Sequence, residues 1–257
     1  MHNIRIEGES EAGRLQRLDE RADEVRRQME TADESEIAGL WAQLDISGIY
    51  HDCALEGQVI SPDELNAAFD SQTITDATTL SLYTALRNHR KAFDLIRELA
   101  ARSRLELDID VFKQFHALFA SDPEEAKAGR YRKDIPLHRS YFHEINDPAK
   151  ISQNVRQLVT WIENPAEVGA LHPVVCAARF HYKFMHIFPF SETSGKVGRA
   201  VMNLILIRDG YLPAIIHATE RQRYYELLRQ QQSAFCELVI DSAMASLEAA
   251  LRFLARG

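Results

Sequence analysis

Phe188-Pro189-Phe190-Ser191-Glu192-Thr193-Ser194-Gly195-Lys196-Val197-Gly198-Arg199 reads as a loop that runs into a helix. Ser194-Gly195 stands where the helix begins. There the first backbone N–H groups lack partners and the positive end of the helix dipole faces outward. Such an end attracts phosphate or another anion. Lys196, Arg199 and Asn203 follow at i, i+3 and i+7, on one face above that end. With Ser194 and Gly195 they form the candidate ligand-binding set. Glu192 precedes them, and its carboxylate is a candidate metal ligand, able to hold a divalent cation against the same phosphates. Val197, Val201, Leu204 and Ile205 line the opposite face and anchor it in a core. A plain turn followed by two surface charges has the same spacing, so spacing alone leaves both readings open.

Helical periodicity continues on either side of this segment. Upstream it covers His172 to Ile187 and Asp147 to Glu163, where Asp147-Pro148 supplies a cap and first turn. Before those come Asp108 to Phe119, Thr78 to Arg102 and a helix start at Ser61-Pro62-Asp63-Glu64. Nearer the N-terminus, Ser35 to Leu44 reads as one helix. A short second one runs through Ile49 to Leu55, stopped by Glu56-Gly57. Glu11 to Thr31 is charged, with Leu15, Leu18, Ala22 and Val25 as a thin apolar stripe. Downstream, helices cover Glu220 to Gln231 and Ser233 to Ala255. Gly129 to Phe142 differs: Ile135, Leu137 and Tyr141 point to extended backbone and a short β-hairpin, and Arg130 and Arg132 read as surface charges. The expectation is an all-α helical bundle. Residues 1–46 form an N-terminal helical extension, 47–231 the main domain including a helix at 47–57, and 232–257 a C-terminal helix packed on that domain.

Composition narrows the function classes. The 257 residues carry 30 Lys and Arg against 38 Asp and Glu, a net charge of −8. A nucleic-acid coat needs a basic face, so that class is disfavoured, while one small basic pocket is not. No apolar run approaches the ~18 residues of a membrane span. The N-terminal residues lack the apolar core of a signal peptide. Cys53, Cys176 and Cys236 are odd in number and have no CxxC-type spacing, so they read as reduced thiols of a cytoplasmic protein.

The segment from Phe180-His181-Tyr182-Lys183-Phe184 through Arg199, with Met202-Asn203-Leu204 and Gly210-Tyr211-Leu212-Pro213-Ala214-Ile215-Ile216, resembles the core of the Fic (Fido-fold) family. The family motif is HPFx(D/E)GNGRxxR. The likeness extends back over Ala128-Gly129-Arg130-Tyr131-Arg132, the start of the family's target-binding flap, and forward over Arg221-Gln222-Arg223-Tyr224-Tyr225, covering about Ser47 to Gln231. It implies a Fido fold and an ancestral reaction in which the motif histidine deprotonates a target hydroxyl, most often for AMP transfer to a protein. It also implies ATP or another nucleotide with Mg2+ as cofactor. Glu192, Gly195 and Arg199 match the metal-holding, phosphate-cradling and outer-phosphate positions. Three positions depart: Phe188 replaces the histidine and has no proton to exchange, Thr193-Ser194 replaces Gly-Asn, and Lys196 replaces an arginine and loses its fork.

The resemblance also aligns Asp52-Cys53-Ala54-Leu55-Glu56-Gly57 with the family's inhibitory (S/T)xxxE(G/N) helix. It implies a Glu56–Arg199 ion pair, with Asp52 in place of the hydroxyl residue. His186 and His181 lie just upstream of Phe188; His186, with Glu192 and Lys196, is a candidate catalytic residue if chemistry remains. Tyr131, His138 and His143 fall in the flap. Three functions follow in order. The first is a non-transferring protein that binds a phosphorylated or anionic ligand, the second an enzyme running a different reaction in the same pocket, and the third conventional AMP transfer. The partners to expect are a protein target or small ligand; the charged helix from Glu11 to Thr31 is either a surface for a second copy or another partner, or a stripe that covers its own domain.

Overall fold

The structure, a computed structural model, describes residues 10–69, 80–103, 106–120, 129–136 and 143–256. Its helices are α1 (Glu11–Thr31), α2 (Glu34–Leu55), α3 (Pro62–Phe69), α4 (Leu80–Ala100), α5 (Ile109–Phe119), α6 (Ile151–Ile162), α7 (Pro165–Val168), α8 (Pro173–Ile187), α9 (Ser194–Arg208), α10 (Arg221–Leu227) and α11 (Gln232–Leu254). There is no strand among the described residues. The all-α expectation holds.

α8 and α9 form the centre, antiparallel neighbours joined by the loop at 188–193, with α4, α5, α6 and α11 packed around them. α9 shows why the core sits there: Val197, Val201, Leu204 and Leu206 are fully enclosed. So are Phe180 and Phe184 of α8, whose rings meet Phe112 of α5 at centroid distances of 5.6 and 5.5 Å. Burying each such ring contributes roughly 1.5–3 kcal/mol.

α1 lays its stripe of Leu18, Ala22 and Val25 into the same core, against α11. Its polar side is tied down as well. Asp19 accepts hydrogen bonds from His172 Nε2 at 2.9 Å and from Tyr211 Oη, while Arg14 pairs with Glu237 and Asp241. α2 is one unbroken helix opened by an Asp33–Glu36 capping box, where the sequence pattern indicated two. Gly48 gave the pattern its interruption. It sits inside the helix because the Phe93 ring of α4 lies against it; a Cβ there would come within 2.7 Å of that ring. Its role is close approach rather than a turn.

The short hairpin expected over Gly129 to Phe142 is absent at 129–136, and 137–142 lies outside the described residues. The backbone there bonds elsewhere: Arg132 N–H donates to Pro189 O at 2.9 Å and Asn146 N–H to His186 O at 2.8 Å. Among the described residues, the segment docks on the end of α8 through these bonds.

Candidate functional site

α8 ends at Phe188, which caps the helix in the left-handed conformation (φ 47°, ψ 64°), the one non-glycine positive φ among the described residues. Such a backbone costs roughly 1–3 kcal/mol and persists only where neighbours over-determine it. Arg132 does so. Its Nε donates to Phe188 O at 2.7 Å, Nη1 to Asp134 O at 3.1 Å, and Nη2 to Asn146 O. Arg132 is 5% exposed, so the surface-charge reading is corrected: its guanidinium serves the carbonyl-rich C-terminal end of α8, where the helix dipole also favours a cation. The Phe188 side chain is itself buried.

The loop then closes on itself. Phe190 stacks on His116 at 4.1 Å, with ring planes 4° apart. Thr193 Oγ1 meets His116 Nδ1 at 2.7 Å. Ser194 Oγ accepts from Phe190 N–H at 2.8 Å and donates to Phe190 O at 2.7 Å. Both hydroxyl residues at the Gly-Asn position of the motif are thus buried, Ser194 bonded within the loop and Thr193 to His116 of α5.

At the start of α9 an anion is already present. Glu56, just past the end of α2, places its carboxylate against Gly195; the ideal Cβ of a side chain there would lie 3.1 Å from the Glu56 carboxyl carbon. Glu56 Oε1 accepts from Arg199 Nη2 at 2.6 Å. Asp52, one turn earlier on α2, accepts from Arg199 Nε, and its other oxygen lies 2.8 Å from His89 Nε2 of α4. Arg199 Nη1 stands 3.3 Å from Tyr224 Oη, which also meets His181 Nε2 at 2.9 Å. All three guanidinium nitrogens are engaged. Burial pushes the Asp52 carboxyl up, but Arg199 and then His89 outweigh it and hold it below the usual carboxylate range. Burial pushes His181 down to about 3, with Arg199 adding to the effect.

α2 is held over the site by its end. Leu55 O accepts from Arg221 Nε at 2.9 Å and from Tyr225 Oη at 3.2 Å, so α10 clamps the turn that carries Glu56.

The other candidates divide. Lys196 is half-buried and its Nζ reaches Gln58 Oε1 at 3.4 Å. Glu192 is exposed at the mouth of the loop. Asn203 is buried, and its Oδ1 accepts from Ala214 N–H at 3.0 Å, which ties α9 to the following segment. His186 turns to Tyr182, with Nδ1 2.9 Å from Tyr182 O, and to His143, whose ring is 5.0 Å away. His143 Nε2 in turn meets Met185 O at 2.9 Å. Tyr131 packs beside Phe190 at 5.9 Å. His138 lies outside the described residues. The structure therefore joins Glu56, Gly195 and Arg199 in one cluster and sends His186 and His143 elsewhere. Sequence reasoning missed His89 and Tyr224 as parts of it, and Arg132 as the support of Phe188. Only the mixed polarity of α4 hinted at a buried histidine.

A narrow cavity of about 20 Å³ lies between α2, α4 and α9, lined by Asp52, His89, Lys196, Arg199 and Asn203; that is room for about one water. No group of three or more His, Cys, Asp or Glu residues is placed to hold a metal among the described residues. A single exposed Glu192 suits Mg2+ only where phosphates supply the remaining ligands. With Glu56 against Gly195 and two carboxylates on Arg199, the residues as arranged do not fit a nucleoside triphosphate. No helix among the described residues is long and apolar enough to cross a membrane.

Comparison with known proteins finds similarity to one family. Residues 106–206 match the model of the Fic/DOC family. The chain is 25% identical over 212 residues to a protein adenylyltransferase Fic of Aedes aegypti, covering 82% of this chain and 42% of the relative. With its Nematostella vectensis counterpart it shares 26% identity, covering 71% and 42%. The chain thus spans less than half the length of the curated relatives it matches. Among solved structures, a Fic domain-containing signaling protein from Bacteroides thetaiotaomicron superposes with a TM-score of 0.80 at 19% identity, over 94% of this chain and 98% of that one. Fic-1 of C. elegans, residues 134–508, gives 0.80 at 21% identity, over 93% and 71%.

Proposed function

From a chain that carries a Fic/DOC-family domain over residues 106–206, we propose a protein that binds an anionic or phosphorylated ligand at the Glu192–Arg199 loop-helix and does not carry out conventional AMP transfer. The observation that carries this reading is the Glu56 carboxylate seated against Gly195 and Arg199. It supports an anion site at the start of α9, where a helix N-terminus and a guanidinium meet. Glu56 is then the internal competitor that an incoming anion must displace. Phe188 supports the second half of the reading. A phenyl ring cannot accept a proton, and loss of a general base alone costs roughly 100- to 10,000-fold.

Relatives named as protein adenylyltransferases make AMP transfer the activity to test against. Incubation of the chain with α-labelled ATP and a protein extract is expected to leave no label on protein above a no-enzyme control. Thermal unfolding of the parent and the Glu56→Gly variant, with inorganic phosphate or ATP and with or without Mg2+, tests the binding half. The variant is expected to gain a ligand-dependent rise in Tm that exceeds the parent's. Equal curves for all combinations would remove the anion-binding reading. The alternative, a different group transfer in the same pocket, would require a base. His186, the candidate for that part, faces Tyr182 and His143 rather than Arg199.

A further inference from the structure

We infer that Asp52 is a second lock on Arg199, independent of Glu56, and that it decides which anions the site accepts. This inference rests on the anion-binding reading of the same site. An arginine grips a phosphate best through two parallel N–H bonds from one edge of its fork. The Nε–Nη2 edge of Arg199 is divided here between two carboxylates, Asp52 on Nε and Glu56 on Nη2. Withdrawal of Glu56 frees one tine only. Asp52 stays because it is backed by His89 of α4: its second oxygen lies 2.8 Å from His89 Nε2, and His89 is buried, with Cys53 Sγ 3.7 Å from its Nδ1.

Charge points the same way. Around the start of α9 stand Lys196 and Arg199 against Asp52, Glu56 and Glu192. With Glu56 gone the cluster is still only neutral, and one of its two carboxylates touches the guanidinium directly. A triphosphate arriving there meets a buried like charge beside the group meant to hold it, which is unfavourable in a site screened from water. A hydroxyl at position 52 would remove that charge and leave Nε–H to the ligand. The aspartate therefore narrows the site to anions that Lys196, the α9 N-terminus and one tine of Arg199 can hold, such as a single phosphate or carboxylate.

Two measurements on the full chain test this. The first needs no ligand: exchange with water of the Arg199 Nε–H proton, followed by NMR in the parent, Glu56→Gly, Asp52→Ser and the similarly sized Asp52→Leu, which carries no acceptor. The proton is expected to stay protected in the parent and in Glu56→Gly, and to exchange at least about tenfold faster in either Asp52 variant, as loss of a charged buried hydrogen bond implies. The second is Mg2+–ATP binding by calorimetry to Glu56→Gly and to Glu56→Gly with Asp52→Ser. The double variant is expected to bind about tenfold or more tightly than the single one, as removal of a buried like charge from beside the ligand implies. Loss of Nε–H protection in Glu56→Gly, or equal ATP affinity in the single and double variants, would overturn the second lock. If no variant binds ATP or phosphate while the Asp52 variants release Nε–H, the anion-binding reading falls and the lock stands. The Asp52→Leu variant keeps the approximate volume of the site without an acceptor, so it gives the exchange result even if Asp52→Ser does not fold.

Discussion

Arg132 Nε donates a hydrogen bond of 2.7 Å to the carbonyl of Phe188, the residue that stands in a left-handed conformation where the motif of the family has its histidine. The two lie 56 positions apart in sequence. The segment after Gly129 thus sets the backbone of the loop rather than only lying across it.

Replacing Arg132 by methionine should therefore destabilise the chain by about 2–4 kcal/mol, because several carbonyls around the end of α8 lose a charged donor while staying buried. Urea unfolding checks this. Arg132→Lys should recover less than half of the loss, since an ammonium cannot reach diverging carbonyls with a fixed fork. A loss below ~0.5 kcal/mol for the methionine variant would contradict the geometry.

Restoring the base alone should not restore transfer. Phe188→His supplies a proton acceptor and suits a positive φ at least as well as phenylalanine, yet Asp52 and Glu56 still fill the Arg199 fork. No labelled AMP on protein above the parent level is expected. Label appearing with this one change would show that the phosphate site is open as it stands.

Acid should weaken the fold through its buried histidines. The sign follows from His181, held by burial at about 3 in the folded chain against 6.5 for the ordinary side chain. A histidine kept neutral by folding contributes its full stability above pH 6.5, and loses it as pH falls from there toward 3, where the unfolded chain binds the extra proton. His89 is shifted in the same direction by burial. Asp52, shifted below the usual carboxylate value, adds its loss only below about pH 4. Unfolding free energy measured between pH 7 and 4.5 should fall, and His181→Gln should make that slope shallower by about 1.4 kcal/mol per pH unit in the steepest part. An unchanged slope would mean that His181 is protonated in the folded chain.

Gly48→Ala should destabilise, although alanine is favoured over glycine in a helix by roughly 0.5–1 kcal/mol. The new methyl would enter the Phe93 ring, which is itself buried against α2, and overpacking of that kind costs about 1–3 kcal/mol. A net loss of about 1 kcal/mol in thermal or urea unfolding is expected. A gain would show that the ring can step aside.

The helices were legible in the chain because the apolar spacing that marks them acts over four residues. α9 opens at Ser194 and α8 ends at Ile187, both within a residue of the pattern. The identity of Phe188 also settles by itself that no proton is exchanged there, since that follows from the side chain's chemistry. The resemblance anticipated the Glu56–Arg199 ion pair, and tertiary structure alone added Asp52, His89 and Tyr224 around it. Asp52 is 147 positions away, and His89 backs it from a third helix. No local pattern relates such residues; they meet because the apolar faces of α2, α4 and α9 can be buried together in one way. The same packing made Gly48 a contact instead of a helix break, and buried Arg132, whose sequence neighbours look like solvent. Sequence marked the start of α9 as a place for an anion. The resemblance named Glu56 as the partner of Arg199, and packing added Asp52 beside it.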